Sequence, residues 1–303
     1  MTAPLDPDRL AAVLRDATDV GLLRPLHVVV HAARAELGQA LATALGHGPV
    51  RVTVLGAPLP ALTDLGDLRS VVLEHGADAG VAVDGDRLRV LDEHGEPVPA
   101  STVLTVVGLR VVAVERAAGR VPVVVHDDLT SRAVPDLLDA AGATTQRVRS
   151  SELVERVATQ DAVLGGRADG LLMLRDAPTG SAGLLGALHV VAELGAQPHP
   201  LSVLAELYQP YAGAGPIEVA VADADEALAR VVDAYVTTSG AGPVEADERD
   251  GLLVSHWGTP PPWWFALRGR GPVVELTVEA ADEDVLDKVR DDVLSLLRTA
   301  EDR

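Results

Sequence analysis

Segments with the composition of strands alternate with segments of helical periodicity along most of this chain. In the first series, short apolar runs alternate with longer amphipathic runs. The predicted strands are residues 27–30, 50–55 and 80–83, and the predicted helices are residues 6–23, 36–45 and 65–74. Alternating strands and helices of this length are typical of parallel, doubly wound sheets. The pattern therefore predicts an α/β fold.

The alternation of strands and helices then starts again, and from residue 215 it gives way to a different arrangement of strands and helices. A second α/β series has predicted strands at 121–125, 144–148, 162–164 and 171–174 and predicted helices at 131–141, 151–158, 184–194 and 201–207. The last part has predicted strands at 217–221, 251–254, 265–267 and 273–278 and predicted helices at 224–235 and 284–297. Glycine and proline predict loops at 210–216 and 239–243, the first at a domain boundary. We therefore predict two doubly wound α/β domains followed by a smaller α+β domain.

An acidic turn, Asp84-Gly85-Asp86, follows the third predicted strand. Val81 and Val83 alternate with small residues before it, and further apolar residues resume after it. Asp-Gly between two alternating apolar runs is a strong signal for a β-hairpin. Carboxylate oxygens are also the ligands that Mg²⁺ prefers, provided that a near-octahedral set is complete. Asp84 and Asp86 are thus either plain turn residues or part of a metal site.

Charge and composition exclude several classes of function. The net charge of −20 and the pI near 4.7 leave no concentrated basic surface for nucleic acid. The chain has no apolar run long enough to span a membrane, and its start lacks the features of a secretory signal, so we expect a cytoplasmic protein. The absence of cysteine excludes disulfides and thiolate chemistry. Because Lys288 is the single lysine, phosphate contacts have to come from arginine or from backbone amides.

Residues 80–99, GVAVDGDRLRVLDEHGEPVP, resemble the metal-binding loop of the alpha-D-phosphohexomutases, the family of phosphoglucomutase and phosphomannomutase. In that family the loop has the form G-[IV]-A-[FV]-D-G-D-x-D-R, and three aspartates at alternate positions hold one magnesium ion. The loop is shorter here, and the third aspartate is missing. The resemblance implies that Asp84 and Asp86 are the remnant of a metal site that binds Mg²⁺ weakly, and no other cofactor is expected.

The second series contains a counterpart of the family's sugar-binding loop. That loop reads Gly-Gly-Glu-x-Ser-Gly-His, and its glutamate and serine hydrogen-bond sugar hydroxyls. Here the matching positions begin with Gly165 and Gly166, but Arg167 replaces the glutamate and no serine follows. A sugar site without that carboxylate and hydroxyl leaves sugar hydroxyls unpaired. The segment is either a remnant of the sugar loop that meets a charged ligand or a turn that closes a strand.

A third loop of the family, Arg-Pro-Ser-Gly-Thr-Glu-Pro, cradles the substrate phosphate. Arg268, Gly269, Arg270 and Gly271 stand in its place, without the serine and threonine hydroxyls. Arg268 matches the family arginine, Arg270 is a second cation, and the glycines leave backbone amides open to an anion. The segment is either a phosphate site or a hairpin turn with solvated arginines.

The segment from Trp257 to Trp264 has no counterpart in the family. It contains all three tryptophans and three consecutive prolines. Aromatic residues beside prolines can form a recognition surface for a protein partner. The alternative is a local cluster that packs on the neighbouring sheet.

No catalytic residue is predicted. No serine matches the family's phosphoserine motif, the nine histidines are scattered, and Asp127 and Asp128 are interpreted as solvated acids at a helix end or on the surface. The resemblance covers the second, third and fourth domains of the family, at residues 1–117, 118–213 and 214–303. It implies a protein without mutase activity that binds a phosphosugar or a protein partner in a regulatory role. The alternatives are an active mutase completed by a separate serine-bearing chain and a purely structural interaction module.

Overall fold

The computed structural model describes residues 7–16, 23–46, 48–237 and 244–298. The contacts within the chain define two compact units, and the division between them falls between Gln209 and Pro210. The first unit contains the two predicted α/β series, and the second contains the predicted α+β series. The predicted boundary between residues 117 and 118 lies inside the first unit, and the division into three domains stays a prediction.

The first sheet of the first unit is built around one fully buried strand. Its strands are β1 (Leu26–Ala32), β2 (Val50–Val54), β3 (Ala79–Asp84), β4 (Arg87–Leu91) and β5 (Pro97–Val98), and the neighbouring helices are α1 (Pro7–Asp16), α2 (Ala35–Leu45) and α3 (Gly66–His75). The strand order is β2-β1-β3-β4-β5. β1 pairs in parallel with β2 and β3, and β4 pairs antiparallel with β3 and β5. Every residue of β1 is buried, as expected for a central strand with both faces covered.

The second sheet follows in the same unit and shares the core of the first. Its strands are β6 (Val123–Asp127), β7 (Thr144–Val148), β8 (Leu164–Gly166) and β9 (Leu172–Leu174), and the remaining helices of the unit are α4 (Ala100–Ala117), α5 (Ala133–Ala140), α6 (Leu153–Thr159), α7 (Ala182–Ala196) and α8 (Leu201–Leu207). The strand order is β7-β6-β8-β9, with β6 parallel to β7 and β8. Val90 of the first sheet, Leu104 of α4 and Leu164 of the second sheet belong to one apolar cluster. The predicted α/β fold with parallel strands is confirmed.

The sequence pattern does not predict α4, although it has more residues than any other described helix of the first unit. Its sequence is rich in valine and threonine, whose β-branched side chains favour strands. Most of the helix is nevertheless buried, including Val103, Leu104 and Val107. Packing between the two sheets therefore overrides local propensity. Neither α4 nor any other described helix is both long and apolar enough to cross a membrane.

The second unit is an antiparallel sheet with helices packed on it. Its strands are β10 (Ala212–Ala220), β11 (Glu245–Asp247), β12 (Leu252–Ser255), β13 (Trp263–Arg270) and β14 (Val273–Ala280), its helices are α9 (Ala224–Val232) and α10 (Glu283–Arg298), and a π-helical turn covers Asp233–Thr237. The strand order is β10-β14-β13-β12-β11, and every pairing is antiparallel. Val231 of α9 and Val293 of α10 share one apolar core with Phe265 and Leu276 of the sheet.

One of the two predicted loops is wrong. Residues 210–216 do not form a loop throughout, because β10 begins at Ala212. The strand register shifts between Ala214 and Ile217, and the Gly215–Pro216 peptide bond within the shift is cis. A proline fits here because β10 is an edge strand with an irregularity. The other predicted loop, residues 239–243, lies outside the described residues, as does the end of the predicted first helix.

A buried carboxylate ties the end of α4 to the segment after β9. Glu115 accepts hydrogen bonds from Arg120 Nε at 2.6 Å and from Arg175 Nη2 at 2.6 Å. Hydrogen bonds from Arg120 and then from Arg175 lower the pKa of Glu115 to about 2, against the opposing effect of burial. The carboxylate is therefore charged in the folded protein and stabilises the fold through its charge.

We expect Glu115→Gln to lower the free energy of unfolding at neutral pH by about 1–3 kcal/mol, because the three hydrogen bonds from Arg120 and Arg175 are no longer made to a charged carboxylate. Since the folded-state pKa of Glu115 lies below its usual 4.5, this stabilisation is complete above that pH and disappears as the pH falls toward 2. Urea unfolding near neutral pH and near pH 3 measures both effects. Glu155→Gln, an exposed change on α6, is the control. A difference between the two variants that does not narrow in acid would contradict this account.

Candidate functional site

The acidic turn joins β3 to β4 as the sequence predicts. Asp84 and Arg87 are the last paired residues of the hairpin, and Gly85 adopts a φ of +60° between them. Asp84 is exposed. Asp86 Oδ1 accepts a hydrogen bond at 2.9 Å from the backbone N–H of Ala182, the first residue of α7. One of the two aspartates of the turn therefore caps a helix, where a carboxylate is favoured by the unpaired N–H groups and the helix dipole.

The turn and the start of α7 approach so closely that a glycine is required. Gly183 donates its N–H to the carbonyl oxygen of Gly85 at 3.2 Å. A methyl group on Gly183 would lie 2.6 Å from the carbonyl oxygen of Arg87 and 2.8 Å from that of Gly85. No other side chain fits without moving the backbone.

The segment after β8 packs on the same hairpin. Gly165 and Gly166 lie in β8, and the chain then turns through residues 167–170. Leu88 donates its N–H to the carbonyl oxygen of Gly170 at 3.0 Å, and Leu172 donates to that of Asp86 at 2.9 Å. The structure therefore brings the sugar-loop counterpart and the acidic turn into direct contact.

Arginine side chains from both sheets converge on Asp169 within this contact. Arg87 Nη1 lies 2.7 Å and Arg167 Nη2 lies 2.9 Å from Asp169 Oδ2, so two guanidinium groups share one carboxylate oxygen. Arg89 lies nearby, because a methyl group on Gly170 would be 3.6 Å from its Nε. Burial, followed by the neighbouring charge of Arg87, lowers the pKa of Arg89, while Asp169 acts in the opposite direction. Of these residues, the sequence argument singled out Arg167 as a site residue.

Asp127 occupies the carboxyl end of β6 and is buried, so its interpretation as a solvated acid is wrong. Its Oδ2 accepts a hydrogen bond from the Ser150 hydroxyl at 2.8 Å, and its Oδ1 accepts one from the backbone N–H of Ala168 at 3.2 Å. Burial raises the pKa of Asp127, and the bonds from Ser150 and Ala168 oppose the rise. Ligands of parallel α/β sheets bind beyond the carboxyl ends of the strands, where neighbouring connections diverge. The position of Asp127 after a buried apolar strand is the signal that could have identified it.

The preceding residue, His126, is neutral. Its Nδ1 lies 2.7 Å from the Thr130 hydroxyl, which itself donates to the carbonyl oxygen of Asp127. Nδ1 therefore carries the proton and Nε2 does not. Burial, followed by the charge of Arg147, lowers the pKa of His126 to about 3. This histidine is a buried residue next to Asp127, and it does not titrate near neutral pH.

In the second unit, the phosphate-loop counterpart is part of a regular hairpin. Arg268 and Arg270 lie in β13, and Gly271 occupies the turn to β14 with a φ of +62°. Arg268 Nη1 pairs with Asp250 at 2.8 Å, and Arg270 Nε lies 3.4 Å from Glu275. The backbone geometry agrees with the predicted alternative of a hairpin turn. The arginines are not simply solvated, however, because each has an acidic partner.

The tryptophan segment is packed more deeply than a free recognition loop. Trp263 stacks on Phe265 with ring centroids 6.0 Å apart, and on His256 at 5.2 Å. Trp264 is buried, and its indole N–H donates to Glu279 at 2.6 Å. Trp257 meets Tyr211 edge to face at 4.8 Å. The protein partner predicted for this segment stays a prediction.

The acidic turn does not fit a magnesium ion. Mg²⁺ needs six oxygen ligands in near-octahedral geometry. Asp86 is committed to α7, and the next side chain along the chain, Arg87, brings a cation to the turn. Within the part of the chain that the structure describes, no three acidic or histidine side chains are grouped to hold a metal.

Comparison with known proteins places these loops in context. No family model matches the chain. Phosphoglucosamine mutase of Erythrobacter litoralis is 27% identical over 271 residues, which cover 79% of this chain and 59% of the relative. Phosphomannomutase of Salmonella montevideo is 30% identical over 254 residues, which cover 80% of this chain and 53% of the relative. The chain thus spans little more than half the length of these curated relatives.

A solved structure agrees with these matches in fold. The X-ray structure of a phosphoglucomutase/phosphomannomutase family protein from Burkholderia thailandensis superposes with a TM-score of 0.75 at 19% identity. The superposition covers 98% of this chain and 65% of that protein. The likeness therefore extends over nearly the whole chain but over only part of the neighbour.

We expect Gly183→Ala to lower the free energy of unfolding by about 2 kcal/mol, because the new methyl group meets two backbone carbonyls that cannot turn away. Gly66→Ala, at the first residue of α3, is the matched control, since its methyl group would meet nothing closer than Asp64 Oδ1 at 3.6 Å. This control should be neutral or stabilising by up to about 1 kcal/mol. Thermal and urea unfolding measure both, and equal losses would show that the contact between the turn and α7 is not tight.

We expect Trp264→Phe to destabilise the second unit by about 1–3 kcal/mol, because the buried Glu279 carboxylate loses its indole donor. Trp257→Phe keeps an aromatic ring at a less buried position and should cost less. Urea unfolding followed by circular dichroism compares the two. A larger effect at Trp257 would argue against the packing described for this segment.

Proposed function

Since the chain belongs to the alpha-D-phosphohexomutase family, we propose that it binds a phosphorylated sugar in a regulatory role and does not itself catalyse mutase chemistry. One observation carries the proposal. Arg87 of the metal-loop counterpart pairs with Asp169 of the sugar-loop counterpart, which also pairs with Arg167, while Asp86 accepts a hydrogen bond from the start of α7. The side chains that would meet a metal ion and a sugar therefore bond to the protein itself.

The chemistry of phosphoryl transfer supports the loss of activity. Transfer depends on positioning and on neutralising the charge of the phosphoryl group, for which this family of reactions uses a metal ion. The contacts of the acidic turn support the absence of that ion, because Asp86 bonds to α7 and Arg87 brings a cation to the turn. Arg167 stands where the family has a sugar-binding glutamate, so the contact that positions the sugar is lost together with the metal. No single remaining group offsets both losses.

The arginines support retained binding of a phosphorylated ligand. Guanidinium groups recognise phosphate through paired N–H donors. Arginines of this chain lie in the counterparts of two ligand-binding loops, at Arg167 and at Arg268 with Arg270. A chain that has lost the groups for catalysis but keeps cations at these positions is suited to sensing or sequestering a phosphosugar.

We expect the purified chain to convert glucose 1-phosphate, mannose 1-phosphate and glucosamine 1-phosphate no faster than the buffer does. Coupled assays with Mg²⁺ and glucose 1,6-bisphosphate measure this, with the Salmonella montevideo phosphomannomutase as the positive control. Robust turnover by the chain alone would refute the proposal. Turnover that appears only after a serine-bearing second polypeptide is added would support the alternative of a divided mutase.

A further inference from the structure

We infer that Arg87, Arg89 and Arg167 form an anion site around Asp169 that takes the dianionic phosphate group of a monoester. The inference deepens the proposed function, on which it rests for the sugar part of the ligand. It assigns phosphate recognition to the contact between the two sheets of the first unit and not to the hairpin of Arg268 and Arg270.

The first argument is the ratio of cations to acceptors. Asp169 Oδ2 already accepts from Arg87 and Arg167, and Asp169 Oδ1 accepts the backbone N–H of Leu171 at 3.2 Å. One carboxylate thus serves two guanidinium groups directly and is near a third. Each arginine guanidinium has five N–H donors, so a single carboxylate cannot accept hydrogen bonds from all the donors of three guanidinium groups.

Other acids of the turn do not remove this imbalance. Asp86 points one oxygen at the start of α7. Asp84 is exposed, and no ion pair shorter than 4.0 Å joins it to another residue in the described part of the chain. The charge of Arg167 also acts on the buried carboxyl group of Asp127. Among the described residues, however, Asp169 is the carboxylate that forms ion pairs with Arg87 and Arg167.

A second, independent observation points to a missing acceptor. Arg167 Nε is buried, and the part of the chain that the structure describes offers it no hydrogen-bond acceptor. The same holds for Arg149 Nε, one residue before the Ser150 that bonds to Asp127. A buried N–H group without an acceptor is costly, and an oxygen-rich anion is the kind of ligand that removes the cost. The lowered pKa of Arg89 agrees with a guanidinium held away from water.

The position of the arginine cluster in the fold and the net charge of the chain both favour a localised anion site. It lies beyond the carboxyl ends of the parallel strands β6 and β8, where ligands of such sheets bind. The chain as a whole has a net charge of −20, so diffuse attraction of anions by the surface is unfavourable. Phosphate binding by this protein therefore requires a built cluster of cations such as this one.

Calorimetric titration of the full chain tests the inference at low ionic strength, with inorganic phosphate, glucose 6-phosphate and glucose as probes. We expect saturable binding of phosphate and of glucose 6-phosphate and no binding of glucose. Arg167→Gln and Arg87→Gln should each weaken binding at least about tenfold. The matched control is Arg69→Gln, which removes an arginine of α3 from an exposed ion pair with Glu96. This variant should bind phosphate like the unchanged chain. Circular dichroism establishes that each variant is folded, and Arg89→Gln replaces either variant that is not.

The outcomes separate this inference from the proposed function. Absence of phosphate binding by the unchanged chain, or equal affinity in Arg167→Gln and Arg69→Gln, overturns the site. Glucose 6-phosphate binding that survives Arg167→Gln but is lost in Arg268→Ala also overturns it, while leaving the proposed function intact. Mutase turnover together with phosphate binding that depends on Arg167 keeps the site and refutes the proposed function. Tighter binding of glucose 6-phosphate than of inorganic phosphate identifies a sugar phosphate as the preferred source of the anion.

Discussion

The two backbone hydrogen bonds between Leu88 and Gly170 and between Leu172 and Asp86 are the constraint on which the first unit depends. They join the hairpin of the first sheet to the segment after β8 of the second, so that two α/β series share one core. The acidic turn, the start of α7 and the arginine cluster all take their positions from this junction. A change that separates the hairpin from Gly170 therefore disturbs the fold and the candidate site together.

Local sequence patterns predict those parts of the fold that depend on periodicity. The order of strands and helices in the first unit follows from alternating apolar and amphipathic runs, and the Asp-Gly turn gives the hairpin of β3 and β4. Periodicity misses α4 because its valines favour strands, while burial between two sheets holds it as a helix. Periodicity also misses the first residues of β10, because glycine and proline are typical of loops. The pairing partner of this strand, β14, is distant in sequence and leaves no local signal.

The candidate site is predicted less completely, because its contacts join distant parts of the sequence. Arg167 stands out by replacing a family residue, but its neighbour Arg87 is 80 residues earlier and nothing local marks the pair. The role of Asp86 depends on the N–H of Ala182, which no pattern around the acidic turn reveals. For Asp127 a local signal exists, because it follows an apolar strand, but its hydrogen bond to the N–H of Ala168 is formed only in the folded sheet.

Asp169 has a consequence for any anion that enters between Arg87 and Arg167. Its carboxylate is covalently attached to the site, so it competes as an intramolecular ligand, and tethered groups of this kind act at effective concentrations of about millimolar or higher. A weakly basic monoanion at lower concentration would not displace it, whereas a dianion with several oxygens can bind the spare N–H groups while Asp169 stays in place. The internal aspartate thus sets a threshold for binding. Without ligand it neutralises part of the positive charge of the three arginines, and a liganded state forms only when the outside anion is abundant or doubly charged.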